Sequence, residues 1–151
     1  MSHEKYIKEI QFEIEEINEL IERYKALFDI KGTPDLFELT SMASLLHSLY
    51  TGIEKIFINI AKNFDKNLPS GNKWHKDLLN QMSQSKDNRA NIISHDIKEQ
   101  LSQYLVFRHF FRHGYSFHLE YDEIKDLIES INPVWKEVKD QIIKNLNLKI
   151  N

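Results

Sequence analysis

Eleven consecutive residues, RHFFRHGYSFH at 108–118, gather two arginines, three histidines and a tyrosine among three phenylalanines and one glycine. Histidine titrates near neutral pH and serves as general acid or base. Arginine presents planar donors that fit a phosphate and stabilise charge building up on phosphorus. The chain has no cysteine, so thiol nucleophiles and zinc–thiolate sites are excluded. Arginine and histidine together suit RNA cleavage. The ribose 2′-OH attacks phosphorus, histidine moves a proton, arginine offsets the charge, and a 2′,3′-cyclic phosphate is left. That chemistry requires neither metal nor cofactor.

Spacing separates these residues into roles. Ile97, Leu101, Tyr104, Leu105, Arg108 and Phe111 follow one another at helical intervals. Arg108 occupies a place in this stripe where leucine would be ordinary. A charge there is costly unless paired, so Arg108 faces either a polar pocket or another subunit. His113 lies five residues further on, about 140° around an ideal helix. The two share a target only if the helix ends between them or a second copy contributes. Tyr115 follows beyond Gly114, whose backbone is free to turn and leaves room for something bulky. Arg112 either shares the phosphate or is a solvated last-turn cation. His109 is the other supporting candidate. Phe107, Phe110, Phe111 and Phe117 read as core and interface packing rather than stacking platforms for bases. A rival reading is a metal site, since His109 and His113 are spaced i, i+4 and His118 is near. The chain has no HExxH pattern, and Glu120 and Asp122 lie outside the helix, so the expectation is no metal.

The elements that must position these side chains are helical. Ile7, Ile10, Ile14, Ile17, Leu20, Ile21, Tyr24 and Leu27 mark an amphipathic helix from about His3 to Phe28. Lys31-Gly32-Thr33-Pro34 stops it, with Gly32 as a left-handed cap, Thr33 as the next N-cap and Pro34 in the following first turn. A second helix from about Pro34 to Phe64 carries an apolar stripe too broad for a surface element, which makes it central. His47 lies beside that stripe and reads as a satisfied core or interface histidine. Asp65 to Trp74 is a loop, and Asn72 is placed to cap a third helix from about Lys73 to Lys86. Lys62, Lys66, Lys73, His75 and Lys76 surround this loop. They form either a solvated loop or a basic rim for a polyanion, and Lys73 and Lys76 are the RNA-binding candidates. Ser94 caps a fourth helix that ends near Gly114. The fifth begins around Glu120, and Pro133 predicts a kink or break near Asn132.

The 151 residues amount to one domain's worth, 1–151. Hydrophobic residues are 41% and charged residues 28%, which points to a folded chain rather than a disordered one. The absence of cysteine fits a reducing cytoplasm. Met1 to Gln11 does not read as a signal peptide, and no apolar run is long enough to span a membrane. A net charge of −3 excludes a generic polyanion binder, so any nucleic-acid contact must come from a local patch. The fold expectation is all-α: an up-down bundle of about five helices.

Arg108, four residues, His113-Gly114-Tyr115 matches the R-x4-6-H-x-Y signature of the HEPN superfamily, and the chain resembles the HepT-like toxins within it. His109 fits the polar residue common after the arginine, and WHKDLLNQM at 74–82 is more loosely similar to HepT-like sequences. The resemblance covers most of the chain in layout and is specific at the motif. It implies a HEPN-like homodimer in which Arg108 and His113 of both protomers line one cleft, which would turn Arg108 toward the partner chain. It implies a metal-independent ribonuclease acting on transfer or messenger RNA. It also implies an MntA-type minimal nucleotidyltransferase antitoxin that attaches AMP to Tyr115. Some HEPN folds are non-catalytic, and the alternative is a module that binds a nucleotide or a partner.

Overall fold

In the computed structural model, residues 2–114 and 119–149 are described, apart from the side chains of Ser2 and His113. Five α-helices follow in order: α1 (Ser2–Arg23), α2 (Leu36–Asn63), α3 (Trp74–Met82), α4 (His95–His113) and α5 (Tyr121–Asn145), with a 3₁₀ turn at Lys25–Asp29 after α1. Among the described residues there is no strand, only an isolated bridge between Lys86 and Arg89. The all-α expectation holds. The expected first helix is shorter than its periodicity suggested, because its last turn tightens into the 3₁₀ segment.

Helix α2 packs against all four other helices, as its broad apolar stripe requires. Leu45, Leu46, Ile53, Ile56, Phe57 and Ile60 on it are completely buried. Its approach to α1 is close at Gly52, where a Cβ would lie 2.8 Å from Cγ1 of Ile17. Helix α5 is tied to α1 by Trp135 Nε1 donating to Asn18 Oδ1 at 2.8 Å. It is tied to α4 by the buried Tyr104 hydroxyl donating to the Leu127 carbonyl at 2.7 Å.

Several helix ends differ from expectation. The N-cap of α2 is Asp35, not Thr33. Asp35 Oδ1 accepts from the Glu38 amide at 2.8 Å while Glu38 Oε1 accepts from the Asp35 amide at 2.9 Å. This reciprocal capping box satisfies two end groups at once, which a lone threonine cannot do. Gly32 is left-handed, φ +80°, but it lies in the loop beyond the 3₁₀ turn. Lys73 rather than Asn72 precedes α3, and no side chain caps that helix. Helix α3 also stops at Met82, because the Met82 carbonyl accepts from the amides of Ile92 and Ile93 in the returning loop. Arg89 clamps the same loop by donating to both carboxylate oxygens of Asp65 at 2.6 Å. Helix α5 runs unbroken through Pro133. Ser94 does cap α4, its hydroxyl accepting from the Ile97 amide at 3.2 Å, and Gly114 ends it. No helix among the described residues is long and apolar enough to cross a membrane.

Candidate functional site

The first turn of α3 faces the C-terminal half of α4. On α4, Leu105, Arg108, His109 and Arg112 recur at intervals of three and four, so they share one face. A cavity of about 310 Å³ lies between the elements. Asn72, Lys73, His75 and Lys76 line it from the start of α3, and Leu105, Val106, Arg108, His109 and Arg112 from α4. Lys73 at the N-cap makes no side-chain hydrogen bond to α3, and the positive end of that helix's dipole lies at this end of it. The structure therefore brings together Arg108, His109, Arg112, Lys73 and Lys76 out of the sequence candidates. Lys62 and Lys66, expected in the same rim, do not line this cavity.

Arg108 is 4% exposed, and what compensates it is within its own chain. Its Nη2 lies 2.9 Å from Oε1 of Glu54 and 3.1 Å from Oε2. Nη1 donates to Thr51 Oγ1 at 3.4 Å, and Cζ stands 4.9 Å from the centre of the Tyr50 ring. Glu54 is 5% exposed and sits in the apolar stripe of α2. The arginine in the stripe of α4 is thus answered by a carboxylate in the stripe of α2. Of the two expectations for Arg108, a polar pocket or another subunit, the polar pocket is present within its own chain. Glu54 Oε2 also lies 2.8 Å from Nδ1 of His75, which in turn is 2.9 Å from Nη2 of Arg108. The result is a three-residue cluster, Glu54–His75–Arg108, at the wall of the cavity.

The burial that makes this pairing necessary also shifts neighbouring groups. Burial pushes the Tyr50 phenol well above its usual range, and the Glu54 carboxylate adds to the shift. His47, one turn before Thr51 on α2, is held below its ordinary value by burial first and then by Arg108 and Arg112. It is half-buried against Phe111, and its Nδ1 has no hydrogen-bond partner among the described residues. Its Nδ1 is thus not satisfied from within the core, which leaves the interface reading of this histidine. Phe107 is buried and Phe111 packs against the core, as expected of them. Phe110, by contrast, is 46% exposed beside the 68% exposed Val106. Among the described residues no group of three histidines or carboxylates is placed to hold a metal ion. Tyr115, Phe117 and His118 lie outside the described residues, as does the His113 imidazole.

Glu54, Thr51 and Tyr50 were not among the sequence candidates. Glu54 carried the same signal as Arg108, a charge where the helical stripe calls for an apolar residue. Two such misfits of opposite sign are candidates to pair. His75 was noted only as part of a basic rim.

A helical bundle whose fourth helix carries the Arg108-x4-His113 spacing and lines a cationic cleft with Arg108 and Arg112 has the make-up of a HEPN-superfamily protein. Residues 41–147 match the family described as HepT-like protein, and the chain belongs to it. The matched region runs from α2 to α5 and includes every residue of the cleft. No curated protein and no solved structure matches the chain.

Proposed function

We propose that this protein is the toxin of a type VII, HepT–MntA-type toxin–antitoxin pair and acts as a metal-independent endoribonuclease. The observation that carries this reading is the cleft. Four formal cations (Lys73, Lys76, Arg108 and Arg112) and two imidazoles line it, with the Glu54 carboxylate paired to Arg108 and His75 behind its wall, on a chain whose net charge is −3. Membership in the HepT-like family supports a HEPN-type toxin. In this reading the lysines hold the RNA backbone, Arg108 stabilises the charge on phosphorus, and His113 transfers a proton. The substrate is a cellular RNA, either transfer or messenger RNA, met in the cytoplasm.

The continuity of α4 supports a homodimer. The helix does not end between Arg108 and His113, so their positions remain about 140° apart around its axis. The two meet at one phosphate when a second copy supplies one of them. Tyr115, two residues past His113, is the site at which the antitoxin attaches AMP. The added phosphates block the cleft and compete with RNA for Arg108.

Incubating the purified protein with total RNA in EDTA tests the reading. Cleavage to ends bearing 2′,3′-cyclic phosphate is expected, with Arg108→Ala and His113→Ala inactive but helical. Activity that chelation removes and zinc restores would refute the metal-independent mechanism. A second reading, a non-catalytic module that binds a nucleotide or a partner, is favoured by one observation: Arg108 is buried and neutralised by Glu54 as a structural ion pair would be. Nucleotide binding without any cleavage would establish it.

A further inference from the structure

His75 is a residue of the cleft whose chemistry the reading above leaves unused. Its imidazole lines the cavity, its side chain is 31% exposed, and its Nδ1 is engaged 2.8 Å from a carboxylate oxygen that is itself almost wholly buried. Nδ1 stands between a carboxylate oxygen that can only accept, at 2.8 Å, and Nη2 of Arg108, which can only donate, at 2.9 Å. Whichever of the two it bonds, Nδ1 is taken up by the Glu54–Arg108 pair, and Nε2 is the ring nitrogen left over. A carboxylate behind an imidazole orients the ring. Arg108 shares the same carboxylate through Nη2, so one buried glutamate fixes both a phosphate-binding guanidinium and an imidazole on the same wall.

We propose that His75 is the general acid of the cleavage reaction and Glu54 its positioning residue. The proposal rests on the ribonuclease reading. As the bond from the 2′-oxygen to phosphorus forms, the 2′-OH proton passes to His113 acting as base. As the bond from phosphorus to O5′ breaks, the proton on Nε2 of the His75 imidazolium passes to O5′. The products are a 2′,3′-cyclic phosphate and a 5′-OH. One histidine has gained a proton and the other has lost one, and exchange with water resets both. Arg108, whose Nη2 is 2.9 Å from Nδ1 of His75, is the cation assigned to the non-bridging oxygens. Sequence spacing could not show this division of labour, because His75 and Arg108 stand on different helices.

The test separates proton donation from every structural role. A cleavage site is first mapped with the wild-type full-length protein on total RNA. Two oligonucleotides spanning that site are then compared, one natural and one with sulfur in place of the bridging 5′-oxygen. A thiolate departs without needing a proton. On the natural RNA, His75→Ala and His75→Gln are expected to lose about 10²–10⁴-fold in kcat. On the sulfur-bridged RNA the same variants are expected to come within about tenfold of the wild type, the common scale of a modest residual binding effect. Lys73→Ala serves as the control and loses the same factor on both. Equal losses on both RNAs, or no loss, in His75 variants that remain helical would overturn the assignment of the proton donor alone. A wild-type protein that cuts no RNA at all would overturn the ribonuclease reading, and this proposal with it.

Discussion

Arg108 shows what a residue in the wrong company can reveal. Its place in an apolar stripe was legible in the sequence as an unpaid charge, and the inference that it needs a polar neighbour is correct. The identity of that neighbour was not legible, because Glu54 is on another helix and only the packing of α2 against α4 brings the two within 2.9 Å. Both members are about 95% buried. Removing one member strands the other charge away from water, whereas removing both removes the desolvation cost as well. Glu54→Ala is expected to destabilise the fold by about 3–5 kcal/mol. The double variant Glu54→Leu with Arg108→Met is expected to recover most of that loss and to have no nuclease activity. Urea denaturation of the two variants and the wild type checks this. A double variant as unstable as Glu54→Ala would mean that the pair contributes packing that hydrophobic residues of similar size cannot replace.

At the scale of elements, periodicity located all five helices but misplaced some of their ends. Local hydrogen bonding decides the ends. Asp35 outcompetes Thr33 because Glu38 stands three residues after it, and Met82 ends α3 because its carbonyl is taken by a loop more distant in sequence. Pro133 is the instructive case, since a proline normally ends or kinks a helix. In α5 it sits on the exposed side, so water can reach the carbonyl one turn earlier that loses its amide partner. Ile131, Val134, Trp135 and Val138 on the other side are all buried, and their packing keeps the helix continuous across the proline. That burial offsets a penalty the proline still imposes, on the order of 3 kcal/mol relative to alanine in a helix interior. Pro133→Ala is accordingly expected to raise stability by about 1–3 kcal/mol. The measurement is the midpoint of chemical denaturation at unchanged slope. An unchanged midpoint would show that the helix has already relaxed around the proline.

At the scale of the whole molecule, the decisive feature is a charge distribution that no composition figure contains. The sequence left the lysines near residue 73 open between a solvated loop and a rim for a polyanion. The fold favours the second by setting Lys73, just before α3, and Lys76, on its first turn, across a cavity from Arg108 and Arg112 on α4. An acidic chain with one cationic cleft should bind single-stranded RNA there and in a salt-dependent way. Each phosphate neutralised on a single strand contributes about 0.7 to the slope of log affinity against log salt. Lys73→Ala and Lys76→Ala are each expected to weaken binding to RNAs of unrelated sequence by the same factor and to flatten the slope by about 0.7. Both side chains are exposed, so helicity and thermal stability should be unchanged. Titrations of catalytically dead His113→Ala protein with fluorescent RNA at several salt concentrations measure the slope directly. A slope that survives loss of both lysines would place the RNA backbone elsewhere on the molecule and leave the cleft without its proposed substrate.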